Sequence, residues 1–398
     1  MKIGFLDPTV LERLKKAIHE HSDFLIHKYS NFSGKKKISV LFSARDWLHI
    51  VVYGLPSINL QEKNDDVKSL NVLQFVCTID LLTEAVQQLY RALFNKKNYP
   101  LYNDKTVFKK SISDDQYFSH IRAAFGVHPV NLDSHDGVIS DKKYFASWSS
   151  SHGRGDFSVY LYSNDPEESD KELTIYFNEI IEYAKIRYEY IDEITKEIKS
   201  QQLEFNDSWS KKVIPTNDDP LEQLNILKEE NEKRYGDYGY RHDIKELLDL
   251  YTAPMDFSSD DNLYSRFLAK LEPSIREIYM NLQNMRIIDL SIYPSPHYYG
   301  VKKFDSYRYD IQKIQDFFGN PESSSSMVPY HLNNLIEAGL LPSFVSPSMD
   351  KRDLKLIMYS FLEKEGASII TPHYKLIEEF NDSEMETVYI VDDIGELD

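Results

Sequence analysis

The sequence predicts a mainly α-helical chain built in two parts, and three observations carry that prediction. Apolar residues recur at spacings of three and four through several long segments. The clearest strand-and-turn pattern is a single β-hairpin near residues 143–163. A polar stretch, Asn206-Asp207-Ser208 through Pro215-Thr216-Asn217-Asp218-Asp219-Pro220, divides two such helical halves. The expected organisation is therefore residues 1–205 as a helical domain with an inserted hairpin, 206–220 as a linker, and 221–398 as a mostly helical C-terminal domain. A length of 398 residues sets a prior of two or three domains.

The elements follow in order. Residues 7–28 read as a helix, with Asp7 as cap, Pro8 in the first turn, and Val10, Leu11, Leu14, Ala17, Ile18 and Leu25 on one side. Ile38–Phe42 is β-rich in composition, leading into a helix over Ala44–Tyr53. Gly54–Ser57 breaks that pattern, and Gln61–Lys68 reads as a loop. The strongest helix spans about Asn71 to Phe94, where Val72, Phe75, Val76, Ile79, Leu82, Val86, Leu89 and Leu93 form a stripe. Ser113-Asp114-Asp115-Gln116 has the form of a capping box opening the next helix. Gly126 can end that helix, and Pro129 resists its continuation. The hairpin comes next, and its Gly153/Gly155 loop lacks the context of a phosphate-binding loop. A long helix over Lys171–Lys199 carries Phe177, Ile180, Ala184, Ile191, Ile194 and Ile198.

In the second half, helices are expected over 221–234, 242–251, 262–285, 308–318, 329–338, 351–364 and 372–380, with a loop from Pro321 to Ser326 and a strand at Val388–Val391. The run from Val328 to Leu341 resembles the second helix of a winged-helix unit spanning about 328–391. It carries no Arg or Lys, so a structural or protein-interaction role fits it better than DNA reading.

Composition bounds the function. Apolar residues are 41% and charged residues 28%, an ordinary soluble balance. One cysteine, Cys77, excludes a disulfide framework and points to a reducing cytoplasm. Cys77 sits in an apolar helical pattern, where thiols are usually inert. No leader and no bilayer-length apolar run is expected, hence no membrane partner. Forty-six cations against 64 anions give a formal charge of −18, which argues against broad nucleic-acid coating and against DNA as a partner. The window from Lys105 to Arg154 is the exception. It is mildly basic and holds His120, His128, His135 and His152.

Within that window lies Tyr117-Phe118-Ser119-His120-Ile121-Arg122-Ala123-Ala124-Phe125-Gly126-Val127-His128-Pro129. Arginine offers a planar donor fork suited to phosphate, and histidine moves protons near neutral pH. Six positions along an uninterrupted helix turn about 600°, so Arg122 and His128 share a face only if the helix ends between them. In spacing and setting between long helices, this run resembles the HEPN-domain RNases of prokaryotic toxin and antiphage-defence systems, whose signature is Arg, four to six residues, His.

The resemblance covers about residues 1–205. It implies an antiparallel helical bundle and metal-independent endoribonuclease activity, with catalytic Arg122 and His128 paired across a homodimer. RNA is the implied substrate, no metal or cofactor is implied, and an antitoxin or trigger protein is an expected partner. His120, Asn131, Lys142, Lys143 and Arg154 are the expected substrate-binding residues. Ala123 departs from the family, which often has a polar residue directly after the arginine. The bland alternatives are an ion pair from Arg122 to Asp114, Asp115 or a carboxylate on another helix, and a histidine satisfied at a helix end. They lead to a second hypothesis, a non-catalytic helical scaffold that binds a partner protein or nucleotide. No sequence pattern suggests a metal site.

Overall fold

The computed structural model describes residues 4–127, 132–135, 138–148, 155–255, 261–319 and 327–370. It is mainly helical and divides into two compact units, Met1–Glu204 and Phe205–Asp398.

The first unit opens with α1 (Pro8–Glu20) and α2 (Ser22–Tyr29). The Asp7 side chain accepts the Thr9 amide, so the predicted cap forms. The expected single helix is broken at His21, but its whole apolar stripe is buried. Helix α3 (Lys37–Gly54) absorbs Ile38–Phe42, which β-rich composition had assigned to a strand. Ile38, Leu41, Ala44, Leu48, Val51 and Val52 bury one side of α3, and packing outweighs strand propensity. Helix α4 (Asp65–Phe94) is capped by Asn64 and starts inside the expected loop. Every residue of its predicted stripe is buried.

Helix α5 (Asp114–Arg122) is followed by a single π turn over Ala123–Val127. A four-stranded antiparallel meander then replaces the expected hairpin, in the order β1 (Leu132–His135), β2 (Val138–Ser147), β3 (Phe157–Ser163), β4 (Lys171–Ile175). The expected helix over Lys171–Lys199 is thus corrected at its start. Leu173 and Ile175 are buried in alternation with more exposed neighbours, a period of two rather than 3.6. Phe157 pairs with Ile175, and the Asp156 carboxylate accepts the Phe177 amide at 2.8 Å. That bond fixes the start of α6 (Phe177–Glu189), which runs on to α7 (Ile191–Ser210). Gly155 suits the junction, because a Cβ there would lie 2.7 Å from the Ile175 carbonyl oxygen.

The second unit contains α8 (Pro220–Tyr235), α9 (Arg241–Tyr251), α10 (Asp261–Gln283), α11 (Arg308–Gly319), α12 (Val328–Glu337) and α13 (Lys351–Lys364). A two-stranded antiparallel pair, β5 (Ile292–His297) and β6 (Ser368–Ile370), joins them. The expected linker at 206–220 is also corrected. Residues 206–210 are still helical in α7, and Ile214 is fully buried. Nearly every residue of α13 from Leu354 to Leu362 is buried, so it is the unit's central helix. Its buried Lys355 is paired with Glu246 at 3.0 Å and Asp249 at 2.6 Å. Helix α12 ends at a left-handed Gly339 and packs His331, Leu332 and Leu335 inward. The expected strand at 388–391 and helix at 372–380 lie outside the described residues, so of the winged-helix expectation the structure describes only the helices and β6.

Among the described residues, Lys37–Ser57 and Asp65–Phe94 are long and apolar enough to cross a membrane, with 39% and 44% of their windows buried inside the protein. This corrects the expectation that no segment reaches that length. The charges in both stretches are few and scattered, which hides the length when only unbroken apolar runs are counted.

Candidate active site around Arg122

Helix α5 is fixed at its N-terminus by a complete capping box. Ser113 Oγ accepts the Gln116 amide at 3.3 Å, and Gln116 Oε1 accepts the Ser113 amide at 3.1 Å. The Asp114 carboxylate, fully buried, accepts the amides of Val107 and Phe108, both at 3.0 Å. Asp115 is the hub of a larger network. Its Oδ1 accepts Nε and Nη2 of the fully buried Arg187, at 3.1 and 2.9 Å. Tyr99 and Tyr183 donate to the same carboxylate at 2.8 and 3.0 Å. Burial first, then the Asp115 charge, pushes the Tyr183 phenol well above its ordinary range. The network ties α5 to α6 and to the loop before it, so the far end of α5 is presented from a rigid base.

Arg122 is the last residue of α5. Its Nη1 donates to Asp80 Oδ2 of α4 at 2.9 Å, and both side chains are about a third exposed. Its Nε is buried and has no hydrogen-bond partner among the described residues. Cys77 lies one turn before Asp80. Burial pushes its thiol up, with the Asp80 charge adding to that and Arg122 opposing it. The thiol is therefore not an activated nucleophile. After Arg122 the backbone leaves the α pattern for the π turn, and Ala124 and Phe125 turn into the core. Phe125 packs edge-on against Trp148 and Phe157, at 5.9 and 6.1 Å. Those two contacts tie the turn to the sheet.

His128, Asn131 and Arg154 lie outside the described residues. His120 is buried, with its ring tilted against Tyr117. Lys142 bonds Asp165 at 2.8 Å and Glu168 at 2.6 Å, so its charge is already matched by two carboxylates. These bonds hold its ammonium above the usual lysine range and pull Glu168 down to about 2. The Lys143 amide donates to Asn164 Oδ1 at 2.9 Å, a strand-end contact. Of the expected substrate-binding residues, the structure thus shows His120 buried and Lys142 engaged with two carboxylates.

The structure brings Arg122 together with Asp80, which the sequence did not single out. Asp80 interrupts the apolar run Val76–Leu82, and a carboxylate inside such a stripe was the available signal. Asp115 and Arg187 carried a similar signal, since Arg187 falls on the buried side of its helix. Among the described residues, no group of three His, Cys, Asp or Glu side chains converges as a metal site. The chain matches no family model, no curated protein and no solved structure.

Proposed function

We propose that the chain is a metal-independent endoribonuclease of the HEPN type, acting in toxin or antiphage defence. One observation carries this reading. The α-helical ladder of α5 ends at Arg122 and passes into a π turn that contains Gly126. This departure from the α pattern between Arg122 and His128 supports the reading, because an uninterrupted α-helix would set the two on different faces. π turns of this kind recur at functional sites. Arg122 is partly exposed, and a guanidinium has five N–H donors, so the bond to Asp80 leaves donors over for a phosphate.

In the proposed reaction the ribose 2′-oxygen attacks the adjacent phosphorus, and the bond to the 5′-oxygen of the next nucleotide breaks. A histidine takes the 2′-OH proton, and a protonated histidine gives one to the leaving oxygen. The products are a 2′,3′-cyclic phosphate and a 5′-hydroxyl. Arg122 binds the scissile phosphate and stabilises the charge that grows on its oxygens. The family places two Arg/His pairs across a homodimer, so two copies of His128 are available for the two proton transfers. Overexpression of the wild-type chain is expected to arrest growth, and Arg122→Ala or His128→Ala to relieve the arrest at equal protein level. Variants as toxic as wild type refute the site.

A second reading, a non-catalytic helical scaffold, is favoured by the carboxylate already engaged with Arg122 and by Ala123 in the position the family usually gives a polar residue. It predicts no growth arrest, and binding of a partner that survives both substitutions.

A further inference from the structure

We propose that Asp80 is a positioning residue for the cleavage step: its carboxylate holds the Arg122 guanidinium in the orientation that meets the scissile phosphate. The inference rests on the reading of Arg122 as the phosphate ligand. It starts from the bond of Arg122 Nη1, at the end of α5, to Asp80 Oδ2, in the middle of α4, at 2.9 Å. The two backbones joined by that bond are held by packing. Val76, Ile79 and Leu82 around Asp80 are fully buried, and so are Ala124 and Phe125 after Arg122. The Arg122 side chain itself is 37% exposed and turns about its single bonds unless something holds it. Ala123, the next residue, has no polar side chain to do so. Among the described residues, Asp80 is the acceptor bonded to this guanidinium, and it takes one hydrogen of Nη1. The second Nη1 hydrogen and the Nη2 pair then point in directions that Asp80 sets, because the guanidinium is a rigid plane.

The same carboxylate has a second effect of opposite sign. It repels the anion that Arg122 attracts, so it weakens the hold on a phosphate before reaction. Orientation and attraction therefore separate in the kinetics. Donors fixed where negative charge grows act on the transition state and raise kcat. A carboxylate beside the bound phosphate acts on the ground state and raises KM. Removing Asp80 should thus slow the chemical step without loosening substrate. A carboxylate that served only the fold would lower stability and leave that kinetic pattern unmade.

Steady-state cleavage of a fluorogenic RNA oligonucleotide by the full chain in EDTA gives the test, with circular dichroism to show that each variant is folded. Asp80→Asn keeps the size of the side chain and removes its charge. It is expected to lower kcat by about 10–100-fold, with KM equal to or below that of wild type. Asp80→Glu returns a carboxylate to the site and should recover most of the lost rate. In an Arg122→Ala background Asp80→Asn should cost nothing further, because Asp80 acts through Arg122. Wild-type kcat in Asp80→Asn overturns the inference and leaves the nuclease reading standing. So does a raised KM at unchanged kcat, a further loss of rate in the Arg122→Ala background, or a folded Asp80→Glu as slow as Asp80→Asn. A wild type that cuts no RNA overturns the nuclease reading and this inference with it.

Discussion

Arg122 and Arg187 show how two arginines on neighbouring helices take different roles. Arg187 is fully buried and spends two donors on Asp115, which also serves Tyr99 and Tyr183. Removing Asp115 takes away its short bonds in the interior and leaves the Asp104 carboxylate 4.0 Å away. Asp115→Ala is therefore expected to destabilise the first unit by about 3–5 kcal/mol, read as a lower urea midpoint at unchanged slope. A change below about 1 kcal/mol would mean that the network contributes little beyond packing. Arg122 keeps about a third of its side chain in solvent and is bonded to the Asp80 carboxylate. Its place at a helix end was legible from spacing, Gly126 and Pro129. Asp80 was not, because a periodicity count treats a lone carboxylate in an apolar stripe as noise. The surroundings of Lys142 and His120 were hidden for a related reason. Sequence places a cation or an imidazole in a basic window, but only tertiary contacts decide whether carboxylates or core already hold it.

Helices were easier to read than strands. The stripes of α1 and α4 and the caps at Asp7 and Ser113 follow from local chemistry, and they form as expected. The sheet depends on pairing between segments distant in sequence, so β1 and β4 were missed and α6 was begun too early. One loop of that sheet gives a pH prediction. The Lys142 bond first, then the Lys171 bond, lowers Glu168 to about 2 from an ordinary value near 4.5. A depressed carboxyl contributes stability above its unfolded pKa and loses it as pH falls through the folded one. The melting temperature should thus fall between about pH 5 and 2, and Glu168→Gln should flatten that acid limb. An unchanged limb in the variant would assign the acid loss to other carboxylates. Gly155 adds a steric prediction. Gly155→Ala places a Cβ against the Ile175 carbonyl and should cost about 1–3 kcal/mol by thermal denaturation.

At the scale of the molecule, the two helical halves were legible, but the linker between them was not. Polar composition marked residues 206–220, yet α7 runs through the first of them and Ile214 anchors the rest. The central claim is that Arg122 and His128 cut RNA without a metal. It is tested most directly by incubating purified protein with end-labelled RNA in EDTA, beside the same oligonucleotide made as DNA. Wild type is predicted to cleave the RNA, leaving a cyclic phosphate, and to spare the DNA, while Arg122→Ala and His128→Ala each slow cleavage by at least about 100-fold. RNA cut equally fast by both variants, or cut only when a divalent metal is restored, contradicts the claim.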